Sequence, residues 1–383
     1  MNELTIVPSS NTWESHFGRI GVTPMQLADG LYRGTWIVQY AEDLAQLGIR
    51  ATLLVAGRNP GMWEGNVLRV RVIRSAWLYR LFPENIWRWK LRPLGSLLSS
   101  VGLKSALQES KLIYLQEYSF GRSVYFVLQR ISERTIAAYH GTSISQAPKA
   151  VRRLVGRFRA LTALTSDEMQ RVRQYAPVEK VHYVPNWVNE AWSEPLPDLD
   201  RPIHSLLVLS RLEERTKSLS TLLEAVRILS QRQFKVSVTV VGTGPDEDLM
   251  RQRWEADPLV SSCIRFLGRI NDRSEIIRVC EQNALLVNTS RVEGQPISVI
   301  EAASRGCGLV LSDLPYVADL GSSPSLHVFE VGSAEGLADS IQAALCAKID
   351  HALQSEWANE HFGVEAGRRR LLDLLNALEE DTV

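Results

Sequence analysis

Cysteine is scarce in this chain, and the four residues present never cluster. Cys263, Cys280, Cys307 and Cys346 include no C-x-x-C spacing, which excludes the common zinc and dithiol redox patterns. All four fall on apolar periodic segments and are expected as buried, reduced thiols of a cytosolic protein. No apolar run reaches the ~18 residues that a membrane-spanning helix requires. The opening MNELTIVPSSNTWE lacks the basic and apolar regions of a signal peptide, so a cytoplasmic location is expected. Internal repeats and low-complexity tracts are lacking as well. Net charge is also missing, with 43 basic and 43 acidic side chains. Residues 1–200 hold 24 of the basic and 17 of the acidic groups, so the first half is positive and the second negative. Either the first half meets an anionic partner, or the halves differ only in surface composition.

What is present is a rhythm. The 383 residues, 45% hydrophobic and 22% charged, suit a globular α/β chain of two domains. Short β-branched runs alternate with amphipathic helical patterns. In the first half the strand candidates are 4–7, 51–57, 67–73, 111–118, 134–141, 160–166 and 180–186, with a helix over 35–48 that ends on Gly48. In the second half they are 205–211, 234–242, 264–268, 284–288 and 308–313, the first four each followed by a helical pattern. Apolar strands alternating with helices predict parallel sheets covered on both faces. The stretch 185–204, rich in proline and acid, marks the boundary between two Rossmann-like domains, 1–187 and 188–362.

Ligands of open parallel sheets bind beyond the carboxyl ends of the strands, so the residues there are the candidates. Arg211 and Lys217 follow the first strand of the second half, at the entry to a helix. Two cations beside free amides suit a diphosphate, though solvated surface cations read the same way. GTGP at 242–245 lacks the third glycine of a dinucleotide fingerprint, because Glu247 stands there. Gly242 and Gly244 then mark either a ligand's approach to backbone or a purely structural turn. RVEGQPISVIEA places Glu293 and Gly294 in a loop, Pro296 at a helix start and Glu301 inside the helix. At ~1.5 Å per residue, Glu301 lies about 7–8 Å along the axis from Pro296, one sugar unit from a phosphate seated on the helix N-terminus. There a carboxylate can accept from two ribose hydroxyls, while Glu293 reaches a second sugar; the bland alternative is an acidic loop and a solvated helix glutamate.

In combination these residues resemble the retaining glycosyltransferases of family 4, which have the GT-B fold of two Rossmann-like domains facing across a cleft. The resemblance rests on the Arg211–Lys217 pair, VGTGP at 241–245, FLGRI at 266–270 and SRVEGQPISVIEAASRG at 290–306. It covers about 185–345 strongly and the first half weakly. It implies that Arg211 and Lys217 hold the diphosphate of a nucleotide-sugar and that Glu301 holds the ribose. Glu293, with Gly294, Gln295, Pro296 and the amide of Ile297, would address the donor sugar, and the loop to Ile270 would meet the base. It further implies that His140, in AAYHGT, faces the donor sugar and that Gly34 and Thr35 lie on the acceptor side. A strand-end histidine can equally be structural. The final helix, about 363–383, would pack on the first domain.

The activity implied is retaining, metal-independent transfer of a hexose-type sugar, without a cofactor, from a UDP- or GDP-linked donor to a glycan or lipid-linked acceptor. This would serve polysaccharide or glycolipid biosynthesis. A nucleotide-sugar epimerase of the same fold and a non-catalytic nucleotide-sugar-binding subunit are the alternatives. Ser210, Ser218, Gln295-Pro296 and Trp187 depart from the family pattern. Finally, 69–104 holds eight basic residues and one acid, Glu84, interleaved with Trp77, Tyr79, Phe82, Trp87 and Trp89. That suits peripheral association with an anionic inner leaflet, or a folded insertion whose aromatics are core. No nucleic-acid motif accompanies it, so no nucleic-acid partner is expected.

Overall fold

Apolar strands followed by amphipathic helices give two parallel sheets. The computed structural model describes residues 3–8, 13–32, 36–75, 102–116, 130–139, 149–198 and 201–380. Backbone contacts divide the chain into two units, 1–184 with 368–383, and 185–367.

The first unit holds β1 (Glu3–Val7), β2 (Arg50–Gly57), β3 (Gly61–Glu64), β4 (Leu68–Arg74), β5 (Ile113–Gln116), β6 (Thr135–Tyr139), β7 (Ala160–Ala163) and β8 (Val181–Tyr183). Their order is β3-β4-β2-β1-β5-β6-β7-β8, and only the edge pair β3–β4 is antiparallel. β3 has no counterpart among the strands expected from sequence. It is four residues long and half exposed, and it exists as the return arm of a hairpin on β4. The helix Trp36–Gln46 ends as predicted, with Gly48 at φ 74 and the Ile49 amide donating back to Leu44 O at 2.9 Å. The helix Val364–Glu380 begins in the second unit, and from Arg368 onward it belongs to the first. There Arg368 Nε donates to Asp43 Oδ1 at 2.9 Å, and both side chains are largely buried. On β4, Arg69 pairs with Glu3 and Glu64, and Arg71 with Glu109. Two of the eight cations of 69–104 are therefore ion-paired within the first unit. Residues 76–101, which carry its aromatics, lie outside the described residues.

The second unit holds β9 (Ser205–Leu209), β10 (Ser237–Val241), β11 (Ile264–Gly268), β12 (Leu285–Asn288), β13 (Gly308–Ser312) and β14 (Leu326–Phe329), in the order β11-β10-β9-β12-β13-β14 and all parallel. β14 is likewise absent from the sequence expectation, because LHVF buries only its last residue fully. Successive residues of β9 point to opposite faces. Leu206 and Val208 enter one core with the helices Leu219–Gln231 and Ala334–Cys346, while Leu207 enters the other with Ile297–Ser304 and His351–Phe362. The cysteine expectation needs correction. Cys280 and Cys307 are buried, Cys263 is half-buried and Cys346 is exposed, because it closes its helix on the solvent side. Burial pushes the Cys307 thiol up to about 11.

Candidate functional site

β9 and β12 are neighbours at the middle of the second sheet, and the helices that follow them cover opposite faces. The connecting loops therefore part at the carboxyl ends of these two strands, where such sheets leave a crevice. A small hollow, partly open to solvent, lies there, lined by Ser210 and Lys217, by Asn288, Thr289 and Ser290, and by Ser298.

Local backbone chemistry turns Lys217 into it. Ser218 adopts the left-handed conformation, φ 47 and ψ 48, between the short helix Glu214–Lys217 and the helix Leu219–Gln231. A non-glycine residue there is strained, and its fully buried hydroxyl is held 2.9 Å from Thr221 Oγ1. The loop after β12 is tied to this turn. Thr289 Oγ1 donates to Lys217 O at 2.7 Å, the Arg291 amide donates to Thr216 O at 2.8 Å, and the Ser290 amide donates to Asn288 Oδ1 at 2.9 Å. These bonds bring Glu293 Oε1 onto Lys217 Nζ in an ion pair whose side chains are 20% and 13% exposed for Lys217 and Glu293. Ser290 Oγ donates to the same oxygen at 2.7 Å.

The helix Ile297–Ser304 opens beside this pair. Pro296, expected as the first helical residue, is instead the N-cap, φ −69 and ψ 120, so the helix begins one position later, at Ile297. Among the described residues no main-chain group accepts from the amides of Ile297 and Ser298, so they are available to an anion. Glu301, further along the helix, is half-buried and has no hydrogen-bond partner among the described residues. Burial pushes its carboxyl up to about 7, with Arg273 pulling the other way.

Other candidates stand apart from this cluster. Arg211 is exposed, does not line the hollow, and forms no ion pair among the described residues. A Cβ on Gly242 would lie 1.8 Å from Ser210 O, and one on Gly244 2.0 Å from Leu212 O. The chain's own loops therefore account for both glycines, as the Leu212 amide donates to Thr243 O at 3.0 Å. Ile270 is half-buried against the core of Val299 and Leu311. Gly294 and Pro296 are half-buried, and Ile297 is 39% exposed. Gln295 is buried and turned toward Asn186. His140, Gly34 and Thr35 lie outside the described residues. The sequence reading passed over Asn186, Asn288, Thr289, Ser290 and Ser298. The available signal was position, since Asn288 to Ser290 directly end β12. Among the described residues no group of three or more His, Cys, Asp or Glu side chains gathers as metal ligands would.

Residues 203–346 match the model of the family described as "Glycosyl transferases group 1". The phosphatidyl-myo-inositol mannosyltransferase of Mycobacterium leprae is 29% identical over 184 residues, 47% of this chain and 48% of that one. Its namesake from Mycolicibacterium smegmatis is 26% identical over 180 residues, 46% of each. The match thus spans about half the length of these curated relatives. Among solved structures, Anabaena HepE in complex with UDP superposes with a TM-score of 0.68 at 15% identity, covering 98% of this chain and 100% of that one. The lipopolysaccharide outer core galactosyltransferase WaaB, in its apo form, gives 0.67 at 14% identity over 98% and 99%. These likenesses give the chain the GT-B fold of two Rossmann-like domains.

Proposed function

We propose, from the match of residues 203–346 to the family described as "Glycosyl transferases group 1", that the chain transfers a hexose-type sugar from a UDP- or GDP-linked donor to a hydroxyl of a glycan or lipid-linked acceptor, with retention of anomeric configuration. The observation that carries this is the cluster at the switch point: Lys217, Glu293 and Ser290 beside the open N-terminus of the helix that bears Glu301, which has no hydrogen-bond partner among the described residues. The diphosphate takes the helix amides, Lys217 and Arg211. Glu293 accepts from hydroxyls of the sugar to be moved, and Glu301 from the ribose. Negative charge grows on the departing diphosphate, so fixed cations and amides aimed at it lower the barrier. These groups supply that charge without a metal, and the departing phosphate takes the acceptor proton.

The relatives support this reading in kind. The mycobacterial proteins are named mannosyltransferases with a phosphatidyl-myo-inositol acceptor, and HepE has been solved with UDP-glucose. The basic stretch 69–104 supports a lipid-side acceptor at an anionic surface; equal flotation with neutral and anionic liposomes would count against it. Among the described residues no helix is long and apolar enough to cross a membrane.

The test begins with a thermal-shift screen against UDP-, GDP- and ADP-sugars. Transfer to saccharide and lipid acceptors follows, with and without EDTA, for the wild type and Lys217→Ala. Chelator-resistant transfer that Lys217→Ala abolishes is expected. An epimer formed from donor alone, turnover lost to EDTA and restored by Mg²⁺, or near wild-type transfer by Lys217→Ala would overturn the respective part.

A further inference from the structure

Gln295 stands in the donor loop, yet its side chain faces away from solvent. The residue is 5% exposed, and its carboxamide oxygen accepts from the Asn186 amide N–H at 2.6 Å. Because that donor is main-chain N–H, it fixes which end of the Gln295 carboxamide is oxygen. Asn186 returns a second bond, Nδ2 donating to Gln295 O at 2.7 Å. Residue 295 is thus gripped at side chain and main chain by one residue 109 positions earlier. Asn186 is the second residue of the 185–367 unit, in a segment that is itself anchored, since the Val188 amide donates to Phe362 O at 2.9 Å. Gln295 Nε2 is buried and has no hydrogen-bond partner among the described residues. Burying an unspent donor is costly, so hydrogen-bond saturation of Gln295 is not what keeps this arrangement; the two bonds to Asn186 are. Glu293 lies two residues before the grip, and the free amides of Ile297 and Ser298 two and three after it.

We propose that Gln295 and Asn186 are positioning residues: together they latch the Glu293–Ile297 loop, holding the Glu293 carboxylate and the helix-start amides in the geometry that transfer uses. This rests on the transfer reading of the same site. A carboxylate and a pair of amides must hold their places relative to a reacting sugar, and a displacement of about 1 Å can cost 10²-fold in rate. Of the groups that take the nucleotide, the latch holds only the helix-start amides and not Arg211, Lys217 or Glu301, so nucleotide affinity is expected to fall much less than the rate.

Asn186→Ala removes only the Nδ2 bond, Gln295→Ala removes only the Oε1 bond, and the double variant removes both. The first readout is hydrogen exchange, which needs no activity. The hydrogen-bonded amides at the latch, those of residues 186 and 299, are expected to exchange about tenfold faster in each single variant, the scale set by one net hydrogen bond. The β9 amides should stay at wild-type rates, and the double variant should add little, since one lost bond already frees the loop. Unchanged exchange at residues 186 and 299 overturns the latch, as does a rise spread evenly over the 185–367 unit. The second readout is kinetic. With the donor that the wild type turns over, kcat is expected to fall 10- to 100-fold, while the Kd for UDP or GDP alone stays within about threefold. Wild-type kcat in Gln295→Ala, or loss of nucleotide affinity in step with kcat, overturns the positioning role. If the wild type transfers no sugar, the reading of the site as a transferase fails, and the exchange experiment still judges the latch. Should Gln295→Ala fail to fold, Asn186→Ala carries both measurements, because its main-chain bond to Gln295 Oε1 remains.

Discussion

The ion pair between Lys217 and Glu293 sets up a competition that can be measured. In the free protein Glu293 occupies the cation that the proposed function gives to a diphosphate. Unit charges about 4 Å apart interact by about 4 kcal/mol at an effective dielectric of ~20. Much of that offsets the removal of both groups from water, since the two side chains are only 20% and 13% exposed. A net coupling of about 1–2 kcal/mol remains, and a nucleoside diphosphate must overcome it to recruit Lys217. Glu293→Gln keeps the shape and removes the competing charge. UDP or GDP is therefore expected to bind about tenfold more tightly to the variant, tenfold being ~1.4 kcal/mol, although sugar transfer is lost. The assay is isothermal titration at fixed ionic strength, with uridine and guanosine as phosphate-free controls whose affinity should not change. Unchanged or weaker nucleotide binding by Glu293→Gln would refute the competition. An equal gain for the bare nucleosides would show that the effect does not run through phosphate.

Two further outcomes follow from the same loops. Glu301 has a folded pKa of about 7 against an ordinary 4.5; the stability tied to its protonated form is fully present below 4.5 and lost as pH rises through 7. Glu301→Gln should accordingly match the wild type in thermal stability near pH 4.5 and exceed it at pH 8, by about 1–2 kcal/mol once residual solvation of the half-buried carboxylate is allowed for. A difference that does not change with pH would contradict the cause given. Gly242→Ala should cost at least about 2–3 kcal/mol in denaturant unfolding, because the new Cβ meets Ser210 O at 1.8 Å with φ at 136. Gly268→Ala, at φ 68 with open space around it, should cost only the ~1 kcal/mol of a left-handed side chain. Equal losses for the two would argue against the close approach of the two loops.

Legibility followed the range of each interaction. Parallel strands buried on both faces are written as continuous apolar runs, so twelve of the fourteen described strands correspond to runs visible in the sequence. β3 and β14 do not, because each is short and half polar and becomes a strand only by pairing with β4 or β13. The site divides in the same way. The positions of Arg211, Lys217, Glu293 and Glu301 at strand ends and at a helix start follow from local periodicity, together with the family resemblance of their spacing. Which of them meet does not. Lys217 reaches Glu293 across 76 positions because the Thr289 and Arg291 bonds draw two loops together.

The sequence alone determined an α/β chain of two parallel-sheet units and the order in which its charged residues reach the ends of the strands, because periodicity and caps act within a few residues. The tertiary structure alone decided that Lys217 is paired while Arg211 stands exposed, that Glu301 has no hydrogen-bond partner among the described residues, and that Gln295 is buried against Asn186. Pairing and burial depend on which loops the strand order places side by side, and no local pattern encodes that.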